Sequence, residues 1–289
     1  MTSAAARPIE LAYSCDADDA FMFHALAKPR VDLRGLVFHH RRADTARLNE
    51  IARAGAADVV AVSVGVLPWI VKRYLLLPHG ASVGRGFGPV VVARTPTLLG
   101  ALSGKRVAIP GADTTAWLVL RLMQQGLVPV VIPISPFANV FTALDRGDVD
   151  AALVIHEGRL LYEKLGYHLV ADLGQWWAGE TGLPLPLGAN VICRDLDDDL
   201  IADVSRVLAD AIVWADTHRD EVIATLADTS PGHPWREPGL LHQYLSMYAN
   251  HDTVTTAQDV RTAIDVLFQR ATRAGLLRPE NQISIEWAP

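Results

Sequence analysis

Gly84-Arg85-Gly86-Phe87-Gly88-Pro89 runs straight into Val90-Val91-Val92-Ala93, and the reading of this join decides the fold. Glycines let a backbone approach phosphate closely, but in a dinucleotide fingerprint they follow a strand and open a helix. Here they lead into a strand. The run is therefore a tight connection, suited to a crossover between two lobes. Pro184, Pro186 and Gly188 suit a rigid return crossover. Two crossovers imply two lobes, with residues 1–94 and 189–289 forming the first and residues 95–188 the second.

Outward from the join, apolar strand-like runs alternate with helical patterns. The runs are Glu10–Tyr13, Gly35–His39, Val59–Ser63, Val90–Ala93, Arg106–Ile109, Val128–Ile134, Ala151–Ile155 and Leu169–Asp172. Amphipathic stretches such as Asp19–Ala27, Ala46–Ala54 and Thr115–Gln125 lie between them. Strands that alternate with helices predict an α/β fold, with a mostly parallel sheet and helices on both faces. After Cys193 the pattern becomes helical throughout: Asp197–Thr217, His218–Ala227, Glu237–Asn250 and Ala257–Ala274. Leu200, Ile201, Val204, Val207 and Leu208 fall at helical spacing.

The 289 residues suffice for two lobes with real cores, and half of them are hydrophobic. A formal charge of −6 creates no field that attracts nucleic acid or an anionic membrane surface. His39-His40-Arg41-Arg42 is a small basic patch and reads as solvated surface. The two cysteines, Cys15 and Cys193, form neither a disulfide framework nor a zinc-type spacing. Met1 to Tyr13 lacks the basic start, apolar run and cleavage site of a secretory leader, so a cytoplasmic protein is expected. No segment has the roughly 20 apolar residues that cross a bilayer.

The chemistry-bearing stretch is Val154-Ile155-His156-Glu157. Ligands of open α/β sheets bind at the carboxyl ends of strands, where His156 would stand. An imidazole there takes a proton from a bound substrate when it is neutral; the alternative is a histidine that only hydrogen-bonds a strand end. Position 160 is a leucine, so His156-Glu157 is not half of a zinc helix, and neither a metal nor a cofactor has a footprint. Pro110-Gly111-Ala112-Asp113-Thr114-Thr115 follows a strand and opens a helix. Its free N–H groups suit a small carboxylate or phosphate, while Asp113 or Thr114 serves as cap. Ser63 has the same double character. Asp18 and Asp19 read as an N-terminal cap, and Trp176 and Trp177 as packing between lobes.

Several segments together resemble the 1,4-dihydroxy-6-naphthoate synthase family of the futalosine route to menaquinone. They are Gly84-Arg85-Gly86-x-Gly88-Pro89, Pro110-Gly111-x-x-Thr114-Thr115-Ala116, Ile155-His156-Glu157-x-Arg159, Asp172-Leu173-Gly174-x-Trp176-Trp177 and Thr181 through Gly188. The resemblance implies a two-lobed fold like the type 2 periplasmic binding proteins, with a helical C-terminal segment. It also implies a lyase that needs no cofactor and converts cyclic dehypoxanthinyl futalosine to the bicyclic naphthoate. By the same resemblance His156 is the general base, Thr115 and Ala116 hold the substrate, and Ser63 with Ala61 and Val62 borders the site.

The opening segment departs from the family pattern Ser-Pro-Cys-Pro-Asn-Asp-Thr. Here it reads Ser14-Cys15-Asp16-Ala17-Asp18-Asp19-Ala20, in which Ser14 and Asp19 keep their places; this adds Asp19 to the substrate-binding set. Ala61 stands where a lysine is common, and Leu160-Leu161 where Phe-Thr is usual. Two other readings stay open: a non-catalytic binding protein for a small carboxylate, and a chorismate-dehydratase-like enzyme of the same fold. Leu240, Leu241, Tyr244 and Tyr248 either pack internally or form a homodimer face.

Overall fold

A computed structural model of the chain describes residues 8–134, 136–228, 238–278 and 284–289. The first stretch carries strands β1 (Ile9–Ser14), β2 (Phe38–Ala43), β3 (Val59–Ser63), β4 (Tyr74–Leu76) and β5 (Ser82–Gly84). Helices α1 (Ala17–Met22), α2 (His24–Ala27), α3 (Thr45–Ala54) and α4 (Leu67–Ile70) connect them. The middle holds β6 (Val90–Ala93), β7 (Arg106–Ile109), β8 (Val128–Val131), β9 (Ala151–Val154) and β10 (His168–Asp172). Its helices are α5 (Thr115–Met123), α6 (Ala138–Arg146), α7 (Gly158–Leu161) and α8 (Leu173–Thr181). Strand β11 (Leu185–Cys193) then precedes α9 (Asp198–Thr217), α10 (Arg219–Asp228), α11 (Pro238–Tyr248), α12 (His251–Val254) and α13 (Gln258–Arg273). Glu237, the expected start of the third tail helix, lies outside the described residues, as do residues 1–7.

The strands form two sheets. The first has the order β2-β1-β3-β11-β4, with β5 also on β11; the second has the order β10-β6-β9-β7-β8. Within each sheet one strand runs against all the others: β11 in the first, β6 in the second. These reversed strands are the ones by which the chain enters the second sheet and leaves it. The expectation of a mostly parallel sheet thus needs correction at two strands, because apolar patterning carries no information about strand direction. The crossovers also fall elsewhere than at 94 and 188. Val90–Ala93 pairs within the second sheet, while Leu185, Pro186 and Gly188 already pair with the first.

Both faces of the sheets are covered, which is why their central strands read as unbroken apolar runs. Val60 and Val62 of β3 enter one core cluster, whereas Val59 and Ala61 enter another beneath α9. Ala151 and Leu153 of β9 join the first cluster, and Ala152 and Val154 pack on α6. The first cluster continues from one sheet to the other through α5, α8 and α13, so the lobes share a core. By contrast β2 is an edge strand, and His39, His40, Arg41 and Arg42 along it are exposed. Trp177 is fully buried and donates its indole N–H to Pro184 O at 2.9 Å, a packing role. Leu240, Leu241, Tyr244 and Tyr248 are buried in a cluster with α1 and α10. Of the two readings, these four side chains take the internal packing.

Helix limits follow local chemistry. Asp44 accepts the Arg47 N–H at 2.8 Å to start α3, and Asp172 accepts from Gly174 and Gln175 to start α8. Asp172 also pairs with Arg159 at 2.8 Å, and the same guanidinium nitrogen donates to Gly88 O at 2.8 Å. One half-buried arginine therefore ties the outward crossover to α7 and to the start of α8. At that point the backbones touch. A Cβ on Gly174 would fall 1.9 Å from the carbonyl carbon of Phe87 and 2.0 Å from its oxygen. Gly174→Ala is expected to destabilise the protein by about 2 kcal/mol or more, because overpacking here pushes on backbone rather than on a flexible side chain. Denaturant unfolding of the two proteins reads this directly.

Candidate functional site

A cavity of about 780 Å³, its open mouth included, lies between the two sheets. Every residue assigned to the site from sequence lines it: Asp19, Ala61, Val62, Ser63, Thr115, Ala116 and His156. They arrive from four places. Asp19 stands in the first turn of α1, Ala61, Val62 and Ser63 end β3, Thr115 and Ala116 begin α5, and His156 follows β9.

His156 has a left-handed backbone, with φ of +51°. A non-glycine residue there is strained by about 1–2 kcal/mol, and such strain concentrates at functional positions. The turn lifts the imidazole off the strand's line and sets Nδ1 3.3 Å from Asp16 Oδ1. Burial by itself pushes the imidazole pKa down. The carboxylates of Asp16, Asp18, Glu157 and Asp19 more than offset this, and the net direction is up. A carboxylate oxygen of Glu157, one of Asp16 and a ring nitrogen of His156 all lie within 4.8 Å of one another. Three such ligand atoms are geometrically able to approach a cation, but an acidic cluster alone does not define a metal site.

Asp18 and Asp19 were expected to cap a helix. Asp16 takes the cap position instead, and both aspartates are buried in the first turn. Asp19 reaches back to accept the Ser14 N–H at 2.6 Å, and Asp18 accepts the Tyr244 hydroxyl at 3.2 Å. Burial pushes the Asp18 carboxyl well above the carboxylate range, against the pull of His156. Burial, followed by repulsion from Asp18, pushes Asp19 up as well.

The α5 end of the cavity is built differently. Thr114 is the cap, accepting the Trp117 N–H at 3.3 Å and donating to Gly111 O at 2.8 Å. Asp113 instead meets Arg53 of α3 at 2.5 Å. The Thr115 hydroxyl bridges the lobes, accepting from Gly65 N–H at 2.9 Å and donating to Leu187 O at 2.7 Å. What Thr115 and Ala116 bring to the cavity is thus mainly the start of a helix, whose first N–H groups have no intrahelical acceptor. Ser63 is fixed by its own N–H, donated to Asn49 Oδ1 at 3.0 Å. No lysine or arginine is among the described lining residues; the start of α5 and the His156 imidazole are the positively polarised groups on the wall.

Sequence reasoning missed Asp16, Tyr244, Tyr248 and Asn190, all on the cavity wall. Asp16 carried a signal, since it departs from the resembled family's pattern three residues before Asp19. The tyrosines carried none, because α11 reaches the site only by tertiary packing. Leu160 and Leu161 pack against the apolar cluster of α10 and α11 and are not among the cavity residues.

A two-lobed α/β body with a site between its sheets is the architecture of the periplasmic-binding-protein-like class. Solved members share it at low identity: the alkanesulfonate-binding protein of Xanthomonas axonopodis pv. citri has a TM-score of 0.69 at 17% identity, covering 95% of this chain and 96% of that one. A crystal structure of an Archaeoglobus fulgidus protein is much closer, with a TM-score of 0.86 at 36% identity over 93% and 98% of the two chains. The family model described as menaquinone biosynthesis matches residues 9–273, and the chain belongs to that family. Two proteins named 1,4-dihydroxy-6-naphthoate synthase are similar along nearly their whole lengths. That of Streptomyces coelicolor is 36% identical over 93% of this chain and 94% of its own, and that of Thermus thermophilus 34% over 94% and 96%. Among the described residues no helix is long and apolar enough to cross a membrane.

Two measurements check the electrostatics and strain of the site. His156→Gly is expected to be more stable than His156→Ala by about 1 kcal/mol, since only glycine adopts the left-handed turn freely. Asp18 and Asp19 bind protons more tightly folded than unfolded, so they make stability fall as pH rises from the ordinary carboxylate range through their raised values. Asp18→Asn should flatten that fall in a thermal-unfolding series, and a slope equal to wild type would contradict the burial argument.

Proposed function

We propose that the chain is a 1,4-dihydroxy-6-naphthoate synthase, a lyase that converts cyclic dehypoxanthinyl futalosine to the naphthoate with His156 as general base. The observation that carries this reading is the Asp16–His156 pair at the mouth of a strand, opening into the cavity that α5 also enters. Asp16 holds Nδ1, which leaves Nε2 to take a proton from the bound substrate. Loss of that proton initiates release of the sugar-derived part and aromatisation of the ring that remains. The substrate's carboxylate is held at the start of α5, against the N–H groups of Thr115 and Ala116. Ser63, Ala61 and Val62 border it on the first-lobe side, and Asp19 lies behind. Closure of the lobes excludes water and aligns the base. The reading includes a cytoplasmic location and no cofactor.

The test is a product assay with purified protein and cyclic dehypoxanthinyl futalosine. Dihydroxynaphthoate should form with wild type, and His156→Ala should lower turnover by about 10²–10⁴-fold. Tight binding with the ligand recovered unchanged would replace the lyase by a binding protein. The base works as neutral imidazole, so kcat/KM should rise with pH through a value above the usual histidine pKa of about 6.5. Asp16→Asn removes the strongest of the charges that raise that value. Its acidic limb should move to lower pH as its kcat falls.

A further inference from the structure

Asn190 lies in β11 opposite Ala61 of β3 in antiparallel register, so the two side chains leave the sheet on one face. It is 1% exposed, and neither Oδ1 nor Nδ2 of its amide has a partner in the protein. The contrast with Asn49 is direct. That equally buried amide accepts from Ser63 N–H at 3.0 Å and donates to Asp113 O at 3.3 Å, so its role is structural. Native structures seldom leave a buried amide unpaired without a use for it. Asn190 is among the residues that line the cavity.

The backbone is shaped to admit this side chain. Gly80 has φ of +78°, and a Cβ there would sit 2.0 Å from Asn190 Nδ2. Ala61, which shares Asn190's face of the sheet, and Gly80, which abuts its amide, also line the cavity. An amide presents a donor and an acceptor together, and a hydroxyl answers both.

We propose that Asn190 is a specificity-determining residue whose amide pairs with a hydroxyl on the ring of the bound ligand. The inference rests on the naphthoate reading for the identity of that ring. The α5 terminus takes the carboxylate, and Asn190 reads the hydroxyl from the first-lobe side. Replacement by an apolar side chain of similar size removes an unpaired buried group, so the fold should not suffer.

The experiment measures, in the full chain, the affinity of wild type and Asn190→Leu for 1,4-dihydroxy-6-naphthoate and for 2-naphthoate, which has the ring and carboxylate without hydroxyls. Wild type should prefer the dihydroxy compound by about 10–100-fold. Asn190→Leu should bind both compounds about equally and melt no lower than wild type. Removal of the amide and removal of the hydroxyls are then non-additive, as for two groups in contact. Undiminished preference in the variant overturns the proposal, as does a lack of preference or of any binding in wild type. A loss of affinity for both compounds alike, with a lowered melting temperature, assigns the amide a structural role and also overturns it. Turnover enters none of these readouts, so failure of the lyase reading appears separately in the product assay.

Discussion

The Arg159 guanidinium holds the arrangement on which the rest of the site depends. It is nearly buried, it neutralises the buried Asp172 carboxylate, and it also takes Gly88 O. Removing one partner of such a pair leaves a charge without compensation in the interior, which is far costlier than the pair's net worth. Its location gives this local chemistry a long reach. Gly88 is in the outward crossover, Arg159 is three residues beyond His156, and Asp172 starts the helix whose Gly174 touches Phe87.

A second polar node, at Thr115, performs the complementary task. Its hydroxyl joins Gly65 after β3 to Leu187 of β11. The start of α5 is thereby fixed against the first sheet, although the helix belongs to the second. Between the two nodes the cavity has one wall from each lobe. A third comes from α11, through Tyr244 and Tyr248.

The cavity crowds carboxylates together. Asp16, Asp18 and Asp19 line it beside His156, and Glu157 adjoins them. Charged groups taken from water are destabilised unless they are paired or neutralised. The protein uses both remedies. Asp18 and Asp19 shift toward their neutral forms, while the charge of Asp16 is set against the imidazole. An environment that makes some carboxyls harder to ionise and one imidazole easier to protonate separates the roles of groups a few ångströms apart. Neighbours of this kind are how acid–base sites obtain distinct protonation states near neutral pH.

Much of this was written in the chain itself. The runs at Val59–Ser63, Val90–Ala93 and Arg106–Ile109 are strands over just those residues, and four of the five tail helices, all but α12, begin and end within a few residues of their periodic patterns. Buried strands and amphipathic helices have local signatures because burial selects residue type position by position. The site residues named from sequence meet in one cavity for a related reason: strand ends and helix starts in α/β folds point the same way. Strand direction was not legible, nor were β4, β5 and β11. Pro186 and Gly188 read locally as a turn, yet β11 becomes a strand because two flanking partners accept its hydrogen bonds. Asp16 against His156, Tyr244 against Asp18, and Asn190 without a partner are equally invisible in sequence. Each depends on groups far apart along the chain and brought together only by packing, whereas the strands, helices and their caps depend on neighbours that the sequence already sets side by side.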